Sequence, residues 1–173
     1  MNWLVTLLGL AVLTLTCRAA ASAQPVEPVP SFLRPISAAW MSRPEALAMA
    51  SAALGKCEEL GQPATVSIVD AEGSLRVTLT SDGAKIVGIE TSMTKIAAVL
   101  EFRAPSAALQ RRLETDPEFA GRYGGDKRFL FFPGALPIEK DGRFVGAIGV
   151  GGARPNDEVC ALAGLHALSG AGE

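Results

Sequence analysis

Between Phe144 and Gly152 glycine recurs at Gly146, Gly149, Gly151 and Gly152, within a run whose other members, Val145, Ala147, Ile148 and Val150, are apolar. A strand with no side chains at those positions suits close approach by another backbone, as when a helix packs directly over it. A phosphate-binding loop is the competing reading of the same glycines, but that loop stands between a parallel strand and a helix. Here Asp141-Gly142 precedes the run and marks a hairpin turn, with residues 135–139 and 143–150 as its strands. Residues 129–132 read as a further strand.

The rest of the chain adds a second hairpin and several helices. Residues 64–69 are largely apolar and β-branched, Asp70-Ala71-Glu72-Gly73 is a turn, and residues 74–80 alternate Leu75, Val77 and Leu79 with Arg76, Thr78 and Thr80. Ser42 is placed to cap a helix that has Pro44 and Glu45 in its first turn and ends at Gly61. Ile86, Ile89, Met93, Ile96, Ala97 and Leu100 recur every three or four residues, which predicts a helix with these side chains on its buried face. Residues 107–113 suit a short helix, 115–127 an irregular glycine-containing segment, and a last helix runs from Pro155-Asn156-Asp157-Glu158 to Leu168. The order is α-β-β-α-α-β-β-β-α, an α/β (α+β) domain with five strands.

The first 23 residues read as a signal peptide. An uncharged run from Leu4 to Thr16 is too short to span a bilayer as a helix, and Ala21-Ser22-Ala23 offers a small-x-small cleavage site. The competing reading is an uncleaved membrane anchor, since the extreme N-terminus carries no Lys or Arg. Cys17 lacks the small residue that a lipid-modification motif wants before its cysteine. Residues 24–42, with Pro25, Pro28, Pro30 and Pro35, form a Pro-rich N-terminal tether, and the domain occupies 43–170. A periplasmic or secreted location follows, without stable membrane insertion after cleavage. Of 16 basic and 18 acidic side chains only Arg18 is removed, so the mature chain is slightly acidic and offers no electrostatic footprint for nucleic acid. Cys57 and Cys160 are then the remaining cysteines. An even pair in an oxidising compartment predicts a disulfide, and two buried free thiols are the alternative.

With a single histidine, His166, the chain cannot build a three-histidine zinc site within one subunit, and it contains no G-x-S-x-G, Walker A or C-x-x-C motif. Asp70, Asp82 and Asp157 all fit turns and caps.

Several strings together resemble a known family. They are Val69-Asp70-Ala71-Glu72-Gly73, Asp82-Gly83-Ala84, Thr94-Lys95-Ile96-Ala97-Ala98 leading to Phe102 and Pro105, Leu136-Pro137-Ile138, residues 144–153, Asp157-Glu158 and residues 161–165. Over about residues 44–168 the chain is similar to the GlcG/HbpS family, the haem-degrading domain formerly of unknown function. That resemblance implies a profilin-like fold, a five-stranded antiparallel sheet with helices on both faces, often assembled as a homo-oligomer. Members are associated with extracellular haem binding and redox sensing, with glycolate-utilisation gene clusters and with an accessory domain of some corrinoid adenosyltransferases. The chain departs from the usual pattern at Thr80-Ser81-Asp82 and at Phe132-Pro133-Gly134-Ala135.

The leading reading is a binding protein for haem, a related tetrapyrrole or another planar molecule, with storage, redox sensing or slow degradation of the ligand as its task. Haem requires apolar contacts, partners for its propionates and optionally an axial ligand. Thr91, Thr94 and Lys95 would present two hydroxyls and a cation from one helical turn, a role the resemblance supports, and His166 is the candidate imidazole. On this reading a joint Thr94→Ala, Lys95→Ala change weakens binding and leaves stability nearly unchanged. Tyr123, Lys127, Arg128, Arg111 and Arg112 are further candidates for the propionates, and Phe129, Phe131 and Phe132, in their strand-like run, read as core ahead of a haem-stacking platform. Two other readings stand beside it. One is an oligomeric interaction or sensor-accessory module, with the glycines of 146–152 at a subunit interface. The other is an enzyme acting on a small oxygenated acid, for which no acid–base or nucleophile constellation is evident.

Overall fold

The computed structural model describes residue 36 and residues 40–169. The segment expected to be a signal peptide and most of the expected tether lie outside the described residues. The elements are α1 (Arg43–Glu59), β1 (Thr65–Asp70), β2 (Leu75–Thr80), α2 (Val87–Phe102), α3 (Ser106–Thr115), α4 (Pro117–Tyr123), β3 (Ala135–Lys140), β4 (Arg143–Gly151) and α5 (Asp157–Ser169). The strands form one antiparallel sheet in the order β2-β1-β4-β3.

Alternation along the central strands sends side chains to two helical layers. Val66 and Ile68 of β1 and Ile148 and Val150 of β4 join Met49, Ala53 and Ala161 under α1 and α5. Val69 and Ala147 join Ile96 and Val99 under α2. Helices therefore cover both faces. A bond between Cys57 and Cys160, with Cα atoms 5.4 Å apart, ties α1 to α5 within the first layer.

The start of α1 follows its sequence. Ser42 Oγ accepts the Glu45 N–H at 3.4 Å, and the Glu45 carboxylate accepts the Ser42 N–H at 2.7 Å. This reciprocal cap satisfies two of the donors that a helix start leaves open. Met41, placed in the tether by sequence, is 1% exposed and belongs to the core, so the folded body begins before Ser42.

The glycines of β4 do lie beneath a helix. A Cβ on Gly149 would sit 2.5 Å from the Ser92 carbonyl oxygen and 2.7 Å from Ile96 Cγ1, and one on Gly151 would overlap Thr91 Oγ1. Both glycines are buried under α2 of the same chain, which removes them from any subunit interface. Close approach also turns α2 away from the expected orientation. Its buried face is Gly88, Ser92, Lys95, Ile96, Ala98 and Val99, while Ile86 is 93% and Ile89 50% exposed. Small residues win over the aliphatic stripe because the sheet face they meet is polar and small. Ser92 Oγ lies 2.9 Å from Ser67 Oγ and also donates to the Ile89 carbonyl.

The sheet has four strands, not five. Residues 129–132 form no strand; Leu130 donates its N–H to the Thr94 carbonyl at 3.1 Å. Phe129 and Phe131 instead turn into an aromatic cluster around Phe102, whose ring centroid lies 5.1 Å from that of Phe119, 4.9 Å from Tyr123 and 5.4 Å from Phe129. Aromatic residues favour strands and clusters alike, and here the edge-to-face contacts prevail. The supposedly irregular segment after Thr115 contains α4. Asp116 caps it by accepting the Phe119 N–H at 3.0 Å, Pro117 opens its first turn, and buried Phe119 anchors it.

Candidate functional site

Three segments converge beside α2: the Thr91–Lys95 turn, residues 130–134, and the loop that joins β4 to α5. Lys95 is the centre of the convergence. Its ammonium donates to the Val150 carbonyl at 2.9 Å and to Asp157 Oδ2 at 2.5 Å, while Asp157 Oδ1 accepts the Ala153 N–H at 2.7 Å. Lys95 and Asp157 are each 1% exposed. Burial pushes the Lys95 ammonium below the usual lysine range and the neighbouring Arg154 charge acts in the same direction, against the hydrogen bond that Lys95 donates to Asp157 and the attraction of that carboxylate.

Lys95 thus does not offer a cation at a pocket edge, as its position beside the two threonines led us to expect. Its donors point inward and hold the loop to the helix. Gly134 makes room for the pair. Its φ of +122° favours glycine, and a Cβ there would fall 2.5 Å from Asp157 Cβ and 2.8 Å from Lys95 Nζ. A Lys95→Ala change would leave Asp157 buried without its partner, so the double alanine variant expected to spare stability will not do so.

Thr91 and Thr94 are half-buried on one edge of α2. Their hydroxyls donate to their own helix, Thr91 to the Gly88 carbonyl at 3.3 Å and Thr94 to the Glu90 carbonyl at 2.8 Å, which leaves oxygen lone pairs for an incoming group. Thr91 packs against Gly151, and the Thr94 backbone is bonded to Leu130. Leu130 in turn lines an open groove of about 330 Å³, with Leu113, Gln110, Phe129, Phe131 and Phe132 among its walls. That volume lies at the lower end of small-molecule sites, roughly 300–1,000 Å³.

At the rim the guanidinium of Arg154 lies over the Phe132 ring, 4.4 Å from its centroid. Sequence reading misses Arg154, and it ranks Phe132 as a core residue ahead of a stacking platform. Arg154 sits in a short loop with no motif of its own, and Phe132 lies in a run that reads as a strand. Asp157 was read as a cap only.

His166 is not brought to this place. It is exposed in the last turn of α5, in the opposite helical layer and roughly 13 Å along that helix from Asp157. Of the further propionate candidates, Arg128 is paired with Asp126 at 2.7 Å and Arg112 with Asp116 at 3.1 Å, and Tyr123 belongs to the aromatic cluster. Among the described residues no group of three or more His, Cys, Asp or Glu side chains is placed to hold a metal ion. No helix among them is long and apolar enough to cross a membrane.

Known proteins share this fold. Streptomyces reticuli HbpS, solved as a double mutant, is 29% identical, with 84% of this chain and 97% of that one covered at a TM-score of 0.66. PduOC, solved in complex with haem, is 24% identical over 73% of this chain and 94% of its own at a TM-score of 0.67, a likeness of fold. An uncharacterised 15.0 kDa protein from the dhaT–dhaS intergenic region of Citrobacter freundii is 26% identical over 123 residues, 70% of this chain and 87% of that protein. The family model described as haem degrading protein HbpS-like matches residues 41–166, almost the whole described domain, and the chain belongs to the HbpS-like family.

Proposed function

We propose that this chain is a secreted or periplasmic binding protein for haem or a related tetrapyrrole, which it stores, senses through redox change or slowly degrades. One observation carries the reading. The hydroxyl-bearing edge of α2 is tied to the wall of an apolar groove by the bond that the Leu130 N–H donates to the Thr94 carbonyl. Val87, 49% exposed, continues the same edge one turn before Thr91. The haem-degrading family supports this ligand class, and the haem complex of PduOC, a neighbour in fold, is consistent with it. The disulfide and the apolar leader favour an oxidising compartment.

The residues present fit a flat, largely apolar ligand. Leu113, Leu130 and Phe132 would contact its face, and Thr91 or Thr94 would offer an oxygen where no imidazole is near. A bound haem would supply iron-centred redox chemistry; the chain's own contribution is to orient the ring and limit water at one face.

Titration of the mature protein with haemin, followed at the Soret band against buffer and a non-binding protein, tests the reading. A saturable change at defined stoichiometry, weakened severalfold by Thr94→Ala, is expected. The absence of any saturable change would overturn it.

Exposure of Ile86, Val87 and Ile89 on α2 favours a second reading, a homo-oligomeric interaction module. Light scattering on the wild type and on Ile86→Glu distinguishes the two. A smaller particle with unaltered haemin binding would assign that patch to assembly.

A further inference from the structure

We infer that Arg154, held on Phe132, anchors a ligand carboxylate and so makes this site selective for acidic rather than neutral flat molecules. The inference rests on the tetrapyrrole reading above and adds the residue that recognises the ligand's polar edge.

Arg154 is exposed and forms no ion pair or hydrogen bond among the described residues, and its guanidinium rests on the Phe132 ring. Arg112 and Arg128, by contrast, are engaged by Asp116 and Asp126. Glu158, four residues on in the first turn of α5, makes no ion pair with it. A guanidinium resting on an aromatic face keeps its N–H donors available at its edge, in the fork geometry that matches a carboxylate.

The base of the side chain is fixed on both sides. Ala153 donates to Asp157 and accepts the Asn156 N–H at 2.7 Å, and Asp157 is locked to Lys95. Lys95 therefore positions Arg154, and its own charge is neutralised inside. Phe132 belongs to two structures at once, the wall of the apolar groove and the platform of the cation. A ligand with an apolar body in the groove would bring an acidic edge to Arg154.

Haemin and its dimethyl ester, which lacks free carboxylates, separate this inference from the broader one when both are titrated in the same dilute detergent into wild type, Arg154→Gln and Phe132→Leu. The wild type should bind the acid about tenfold or more tightly than the ester. Arg154→Gln should lose that preference, bind the ester as before and keep its thermal midpoint, while Phe132→Leu weakens both ligands. Acid binding undiminished in Arg154→Gln, or a wild type indifferent to esterification, would overturn the inference alone. Failure of the wild type to bind either ligand would overturn the tetrapyrrole reading with it.

Discussion

Lys95 and Asp157, 62 residues apart in sequence, meet in a buried ion pair that joins the middle of α2 to the first turn of α5. Each side chain is 2% exposed, so loss of one partner strands a charge without water. Lys95→Met is expected to cost about 3–5 kcal/mol in urea unfolding. Lys95→Met combined with Asp157→Leu should cost less than the sum of the single changes. Additive losses would show that the two charges are not coupled.

Gly149 and Gly55 are predicted to respond in opposite ways to alanine. At Gly149 the new methyl group meets the Ser92 carbonyl and Ile96, and overpacking of this kind costs roughly 1–3 kcal/mol. Gly55 lies within α1 with nothing within 4 Å of a new Cβ, so Gly55→Ala should stabilise by about 0.5–1 kcal/mol. Denaturant midpoints for the two variants check the sign of each.

The Cys57–Cys160 bond closes a loop with a sequence separation of 103. By the chain-entropy argument its loss costs roughly 4–5 kcal/mol. Protein lacking residues 1–23 should take up no alkyl group when denatured without reductant and two when denatured with it. Cys57→Ala with Cys160→Ala should show a correspondingly lower denaturant midpoint.

Glu45 links the α1 cap to the sheet through Lys140, whose ammonium lies 2.5 Å from its carboxylate. The hydrogen bond from Lys140, followed by those from Ser42, lowers the Glu45 pKa from 4.5 to about 2. A depressed carboxylate pKa contributes stability that is complete above pH 4.5 and is lost as pH falls toward 2. Glu45→Gln should therefore flatten the acid limb of the stability profile between those values. An unchanged slope would contradict the assignment.

Much of the fold was legible because several signals were local. Ser42, Pro44 and Glu45 announce a helix start within four residues, and the Asp141-Gly142 turn sets the hairpin before the glycine-bearing strand. The orientation of α2 was not local. Gly88 and Ser92 face the sheet because Gly149, Gly151 and Ser67 lie opposite them, a match between segments more than twenty residues apart. The missing fifth strand has the same origin, since Phe129 and Phe131 read as strand residues until Phe102, Phe119 and Tyr123 supply a cluster for them. At the site, proximity in sequence grouped Lys95 with Thr91 and Thr94. Only the long-range contact with Asp157 separates the buried ammonium from the accessible hydroxyls and leaves the accessible cation to Arg154.

Hydrogen–deuterium exchange of protein lacking residues 1–23, with and without saturating haemin, tests the central claim most directly. The account predicts added protection in residues 87–95, 130–134 and 151–156, with little change around His166. Protection confined to the second half of α5, or none in the three converging segments, would contradict it.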